Sequence, residues 1–338
     1  MPERTEMGLL LVKAEGTYGT DPTPTQAANI IPTVRDQITY ELQGEMTPRA
    51  LLDGTLERSA GHFVRPSVVL KFRYELRGNR TDGSTDDISA GASGQAVEID
   101  ALLKAADLTP AYTAESPSGG RNGNVIYVPV FSPTSVGNSV TCWWYTEGKL
   151  HKLNGGKVDI SFSFEAGKMA YIDFTVYGKY VAVSDNSFAL SGAAFLSTKP
   201  PVWENGTCTY GGVSTLVVSQ ATINLGNKIV PRLDATAADS IAGFIRTAFE
   251  PNGKINPESL PEGTAPLWAD LRSNTVKTLN LLMGADTGNK IQIQAITQQR
   301  RVSYENANGV RLQPIEFDII KSYPGASSQG NTLSLKFF

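Results

Sequence analysis

Residues 147–180, EGKLHKLNGGKVDISFSFEAGKMAYIDFTVYGKY, decide the fold. Apolar and polar residues alternate on both sides of a turn at Ala166-Gly167-Lys168. A period of two places alternate side chains on one face of a β-strand, and glycine adopts the positive φ that a tight turn needs. The stretch therefore predicts a β-hairpin with one face in a core. The core-facing set is Val158, Ile160, Phe162, Phe164, Ile172, Phe174 and Val176.

Two parts of this first half recur later in the chain. Residues 172–180, IDFTVYGKY, resemble residues 315–323, IEFDIIKSY. Residues 34–49, VRDQITYELQGEMTPR, resemble residues 217–232, VVSQATINLGNKIVPR. The two echoes come in the same chain order, which indicates one fold used twice. Two unrelated β domains that share strand alternation are the alternative.

The duplication predicts a division of the chain. Residues 1–190 are predicted to form a first β domain with an N-terminal arm, residues 191–215 a linker, and residues 216–338 a second β domain. Each half has one stretch of helical spacing, at residues 95–107 and 265–273, among strand-like segments in the order β-β-α-β-β-β-β. The predicted fold class is mainly β, with sandwich- or barrel-like domains that each contain one α-helix.

Residues 43–62 are predicted to form a long connection between strands at 34–42 and 63–76. They have little periodicity but carry Met46, Leu51, Leu52 and Leu56. A long loop with apolar side chains is unusual in a compact domain unless a neighbour covers it. We expect that neighbour to be a second copy of the same chain.

Composition limits the function classes. The 338 residues are 41% hydrophobic and 19% charged, with a net charge of −3, which is typical of globular domains and argues against a dedicated nucleic-acid binder. No apolar run has the length of a membrane span, and residues 7–12 are too short an apolar run for a signal peptide. Two cysteines are too few for a disulfide scaffold, so reduced thiols in a reducing cytoplasm are expected.

Catalytic or metal-binding motifs do not emerge from the sequence. His62 and His151 are the two histidines, and neither lies in a nucleophile–base pattern. Cys142 and Cys208 are isolated and lack zinc-ligand spacing. No enzymatic activity, cofactor or metal is therefore expected.

Three stretches resemble the tail tube proteins of tailed bacteriophages. The N-terminal LLLVKAEGTYGTDPTPTQAANII, residues 9–31, is similar to the family's opening, in which an apolar run leads into Glu-x-x-Tyr-Gly-Thr-Asp. The hairpin of residues 148–180 is similar to its central signature, and the strand–loop–strand of residues 34–76 is similar in layout. The resemblance covers most of residues 1–185 and weakens beyond.

This resemblance implies a structural virion protein that assembles in the bacterial cytoplasm. Its strands would join across subunits into a β-barrel, and the resulting rings would stack into the channel that passes DNA without sequence-specific binding. Two tube folds per chain imply a trimeric, pseudo-hexameric ring, with a hexamer as the alternative. Further implied partners are the tail terminator, tape measure and tail-tip proteins, and no membrane anchor is implied.

The resemblance also suggests which residues face a neighbour and which face the lumen. An acidic lumen would repel the phosphates of passing DNA, although an outer solvated face is the alternative for each of the acidic residues chosen. The predicted inter-ring or subunit contacts are Leu9, Leu10, Leu11, Tyr18, Met46, Leu51, Leu52 and Leu56. The predicted lumen-facing acidic residues are Asp159, Glu165, Asp173, Glu316 and Asp318.

Two other functions remain open from the sequence. One is a non-polymerising tail ring or hub protein, such as a tail terminator. The other is a tube protein whose C-terminal half is a surface-binding decoration domain, which would bind cell-surface sugar through exposed aromatic residues such as Trp203 and Tyr210.

Overall fold

The structure is a computed structural model that describes residues 8–52, 57–78, 97–113, 124–131, 138–187, 195, 198–286, 288–321 and 332–338. It confirms the mainly β fold class. The strands of residues 8–187 are β1 (Leu9–Ala14), β2 (Ile30–Ile31), β3 (Thr39–Arg49), β4 (Ser59–Glu75), β5 (Leu108–Thr113), β6 (Asn124–Pro129), β7 (Val140–Tyr145), β8 (Lys149–Glu165) and β9 (Tyr171–Asp185).

The remaining strands lie in residues 207–338. They are β10 (Thr207–Tyr210), β11 (Val218–Asn224), β12 (Asn227–Leu233), β13 (Ile241–Phe249), β14 (Asn252–Pro257), β15 (Val276–Met283), β16 (Ile291–Val302), β17 (Glu305–Ala307), β18 (Val310–Leu312), β19 (Ile315–Ile319) and β20 (Leu333–Phe337). The helices are α1 (Asp100–Ala105) and α2 (Leu267–Ser273).

The hairpin predicted from residues 147–180 is confirmed. β8 and β9 pair antiparallel with Phe162 opposite Ile172 and Ile160 opposite Phe174. Gly167 has a φ of +76° in the turn, a conformation that favours glycine. All seven of the predicted core-facing side chains are at most 4% exposed. Strand alternation alone therefore identified the buried face of this hairpin.

Several predicted boundaries are wrong. Residues 43–62 are not a long irregular connection, because β3 and β4 continue through most of them as an antiparallel ribbon. The Pro- and Gly-containing sequence of residues 251–264 predicts a loop, but it contains β14. The separate strand that the sequence predicts at residues 301–305 is divided between the end of β16 at Val302 and the start of β17 at Glu305. The β3–β4 ribbon and β14 form although their sequences alternate weakly, because the main-chain hydrogen bonds that pair strands do not depend on side chains.

The two halves have the same order of neighbouring strands. In residues 8–187 the order is β1-β7-β8-β9-β4-β3. In residues 207–338 it is β10-β15-β16-β19-β14-β11. Every pair is antiparallel, and in each half a helix follows, along the chain, the strand in fifth place, α1 after β4 and α2 after β14. β10 takes the place of β1, so this second unit begins inside the segment predicted as a linker.

One continuous core serves both halves. It is formed by the apolar faces of the sheets, with Leu102 and Leu103 of α1 and Leu267 of α2 packed into it. The hairpin β5–β6 of the first half extends the second half's sheet, because β6 pairs with β20. The halves are thus joined by shared core and by shared sheet.

Candidate assembly surfaces

The joint between the halves is a strand pair. The first part of β8 pairs with β7, whereas its residues 161–165 pair with β11, with Phe162 opposite Ile223. On the polar side of this pair Ser161 Oγ lies 2.6 Å from Asn224 Oδ1. A chain that contains two similar sheets therefore joins them edge to edge.

A buried ion cluster supports this joint. Asp107, which follows α1, lies 3.0 Å from Lys157 Nζ on β8 and 3.2 Å from the Arg246 Nε on β13. The Lys157 side chain is 2% exposed. Burial lowers the pKa of the Lys157 ammonium, and the neighbouring Asp107 carboxylate opposes that shift. One carboxylate thus neutralises two cations, one from each half.

Asn227 and Asp159 form a second set of contacts across the joint. The buried Asn227 donates Nδ2 hydrogen bonds to the carbonyl oxygens of Ala106 and Val158, at 3.1 and 3.0 Å. Its backbone N–H donates to Asp159 Oδ1 at 2.8 Å. Burial raises the pKa of the Asp159 carboxyl, and hydrogen bonds from backbone amides oppose the rise. Asp159 is therefore half-buried and engaged inside the chain.

Two of the strand edges that lack a partner within the described residues belong to β3 and β16. β3 has β4 as its one neighbouring strand, and residues 299–302 of β16 have β19 on one side and no strand on the other. In the strand order these are the counterparts of the β11 edge and the β8 edge, which pair with each other inside the chain. These two unpaired edges are thus of the same kinds as the two edges that the chain joins.

The β3–β4 ribbon carries exposed apolar side chains. Leu51 and Leu52 at its tip are 54% and 106% exposed, and Met46 and Phe63 on its strands are 63% and 49% exposed. The β12–β13 hairpin occupies the corresponding place in the second half, but its Phe244 is 3% exposed because the hairpin packs on β8 and β9 of the first half. No local pattern in the sequence distinguishes the two hairpins in this respect.

The other predicted contact residues lie elsewhere. Leu9, Leu10 and Leu11 are buried in β1, which pairs with β2 and β7, so their side chains are already covered within one chain. Tyr18 bonds to residues of the same chain at the joint between the halves. Leu56 lies outside the described residues. Met46, Leu51 and Leu52 remain as apolar side chains that a single chain leaves exposed.

The five predicted acidic residues lie on the polar face of the sheets, but basic residues accompany four of them. Arg73 holds Asp173 with hydrogen bonds of 2.7 and 2.9 Å. The other pairs are Lys168 with Glu165 at 2.8 Å, Arg300 with Asp318 at 3.4 Å, and Arg300 and Arg301 with Glu316 at 3.7 and 3.8 Å. The face is therefore mixed in charge rather than purely acidic. Its basic residues come from neighbouring strands and turns, so the alternation of one hairpin does not reveal them.

The aromatic residues named for a sugar-binding alternative are buried. Trp203 is 7% exposed and packs against Phe164, and Tyr210 is 1% exposed. The expectation that they form an exposed binding surface is therefore wrong. Burial also raises the pKa of Cys208 to about 12. Among the described residues no His, Cys, Asp or Glu cluster could hold a metal, and no helix is long and apolar enough to cross a membrane.

Comparison with known proteins identifies the family. The model of the phage tail tube protein family matches residues 6–333, nearly the whole chain. No curated protein matches the sequence. Since the family match spans both halves and the fold is mainly β, the chain belongs to the phage tail tube protein family, a structural family of the virion tail.

Proposed function

We propose that this chain polymerises into rings of three copies that stack to form the DNA-conducting channel of a phage tail. The observation that supports this most is the strand order, which occurs twice in the chain. The two copies join edge to edge at β8 and β11, and the equivalent edges, on β16 and β3, have no partner strand within the described residues. A closed ring removes open strand edges, which are otherwise prone to uncontrolled pairing. In this ring β3 of one copy pairs with β16 of the next.

The β8–β11 pair supplies the template for the contact between copies. In it the hairpin end of β8 lies beside the strand that leads into the β12–β13 hairpin. By the same relation, residues 299–302 of β16 would pair with β3 of the neighbouring copy, which is the strand that leads into that copy's β3–β4 ribbon. Three chains then present six similar sheets around one axis, which gives pseudo-sixfold symmetry. If the repeat had no such role, six chains per ring would be the expectation.

The exposed ribbon supports the same arrangement. Four large apolar side chains, Met46, Leu51, Leu52 and Phe63, are about half or more exposed on one hairpin. An apolar surface of this kind marks a protein contact. A neighbouring copy, in the same ring or in the next ring, would cover it.

The polar sheet face fits a channel for DNA. Its carboxylates are balanced by arginine and lysine, so it presents neither a basic track that would grip phosphate nor free apolar surface. We infer that this face lines the lumen and contacts DNA without sequence preference. Assembly would occur in the host bacterial cytoplasm, with tail terminator, tape measure and tail-tip proteins as further partners.

Electron microscopy of concentrated protein, and of lysate from infected cells, tests the proposal. Tubes with three chains per ring and a sixfold-like lumen would support both polymerisation and the paired use of the two halves. Tubes with six chains per ring would keep the function and refute the role assigned to the repeat. Single rings that never stack would indicate a hub or terminator protein instead.

A further inference from the structure

Glu15 gathers four hydrogen bonds at the start of the loop that follows β1. Its Oε1 accepts from Thr141 Oγ1 and from the backbone N–H of Gly155, both at 2.7 Å. Its Oε2 accepts from Ser139 Oγ at 2.5 Å and from the backbone N–H of Gly19 at 2.6 Å. This one carboxylate therefore fixes the loop against β7 and against the irregular point in β8 at Gly155.

Tyr18 extends this fixed loop to the second half. Its hydroxyl donates to the carbonyl oxygen of Gly155 at 3.0 Å and accepts from the backbone N–H of Phe244 at 2.6 Å. The tyrosine thus bonds to β8 with one side of its hydroxyl and to β13 with the other. It is a side chain of the N-terminal loop that connects main-chain atoms of both halves.

Two glycines make room for the tyrosine ring. A Cβ at Gly243 would lie 2.5–2.7 Å from the end of the Tyr18 ring, and a Cβ at Gly155 would lie 2.9–3.1 Å from it. Gly155 also has a φ of +64°, so a side chain there would be strained in any case. The ring therefore lies between the backbones of β8 and β13 at a separation that only glycine allows on both sides.

We propose that the Glu15–Tyr18 loop is a positioning element that sets the orientation of the two halves relative to each other. The loop is anchored on the first half by Glu15, and Tyr18 transmits that position to the β12–β13 hairpin of the second half. Its effect on assembly rests on the proposed function. A ring closes only when the angle between successive sheets is right, and this loop sets the angle between the two sheets of one chain, which alternates around the ring with the angle between neighbouring chains.

Tyr18→Phe is the direct test, because it removes both hydroxyl bonds and keeps the ring. Hydrogen exchange of the full chain as a monomer should show the Phe244 amide exchanging about five- to tenfold faster, the factor that one hydrogen bond corresponds to. The Leu76 amide, which bonds to Ala170 within the first half, should be unchanged. Tyr127→Phe is the matched control, because its hydroxyl bonds only within the first half, to Asp100 at 2.8 Å.

The assembly readout separates positioning from simple stability. Tyr18→Phe should raise the protein concentration needed for tubes by about fivefold, the factor to which one lost hydrogen bond in each chain corresponds, or should give open arcs. Tyr127→Phe should assemble normally even where its urea midpoint falls as far as that of Tyr18→Phe. Unchanged Phe244 exchange in Tyr18→Phe would overturn the proposal. So would faster exchange combined with normal tubes.

A second variant keeps the test independent of the hydroxyl. Gly243→Ala places a methyl group against the Tyr18 ring and should also speed exchange of the Phe244 amide. Addition of Tyr18→Ala to this variant should relieve the clash between the ring and the methyl group. It should not restore the exchange protection of the Phe244 amide, because the hydroxyl is absent. Identical exchange in the single and parent chains would refute the close packing. Because these measurements use the monomer, they stand even if wild-type protein forms no tubes, an outcome that would count against the proposed function alone.

Discussion

Substitution of Asp107 by asparagine should weaken the joint between the halves more than any exposed ion pair could. Asp107 neutralises Lys157 and Arg246, whose side chains are 2% and 12% exposed. Removal of one partner from a buried ion pair destabilises a protein by about 3–5 kcal/mol, because the remaining charge is buried without compensation. Here two cations would be left, so we expect the upper part of that range.

Asparagine is the right replacement for geometric reasons. Asp107 has a φ of +59° after α1, in the left-handed region that asparagine adopts more easily than alanine does. Asparagine also keeps the size of the side chain. The variant therefore removes the negative charge without adding backbone strain or a cavity.

Urea unfolding of the monomer, followed by tryptophan fluorescence and circular dichroism, measures the effect. Glu45→Gln is the matched control, because it removes the anion from an exposed ion pair. Arg65 and Glu45 are in contact at 2.8 Å, but their side chains are 47% and 63% exposed. Exposed pairs contribute about 0–1 kcal/mol. A loss below about 1 kcal/mol in Asp107→Asn, equal to that of the control, would show that the cluster does not hold the halves together.

Three further predictions follow from the same structure. Leu52→Glu should change the free energy of unfolding by less than about 0.5 kcal/mol, since the side chain is exposed, but it should abolish pelletable tubes. Val183→Glu, at an exposed position of β9, is the control. Normal assembly of Leu52→Glu would exclude the ribbon tip from the interface. Because burial raises the folded-state pKa of Asp159, its stabilising contribution is present below about pH 3.9 and is lost as pH rises through the folded-state pKa. Asp159→Asn should therefore gain stability relative to wild type between about pH 3 and pH 7, and a difference that does not vary with pH would contradict this. Burial also raises the pKa of the Cys142 and Cys208 thiols, so a thiol reagent at neutral pH should label them only as the chain unfolds in urea; rapid labelling of native protein would argue against their burial.

Much of the fold can be predicted from the sequence, because the alternation of apolar and polar residues in a strand indicates which face of the sheet is buried. The residues from Val158 to Val176 that alternate in sequence are buried in the structure, and Gly167 occupies the turn. The echo of residues 172–174 at 315–317 also marks equivalent strands, since Asp173 lies opposite Arg73 and Glu316 lies opposite Lys254 on the neighbouring strand. The family resemblance, carried by the N-terminal motif and the hairpin, agrees with the match over residues 6–333.

The tertiary structure decides which apolar runs are buried and which charged residues meet. Leu9 to Leu11 and Leu51 to Leu52 are similar apolar runs, yet the first is buried and the second is exposed, because only the first has strands on both sides. Asp107, Lys157 and Arg246 are far apart in the chain, so no local pattern predicts their meeting.

The sequence by itself determined that this is a mainly β chain with a central hairpin and a repeated pattern, since a period of two depends only on neighbouring residues. Only the tertiary structure decided that β8 and β11 pair inside the chain while the equivalent edges, on β16 and β3, stay open within the described residues. The physical reason is that strand edges join through main-chain hydrogen bonds, which every residue except proline can make. The choice of partner therefore depends on how the cores and loops place the strands in space.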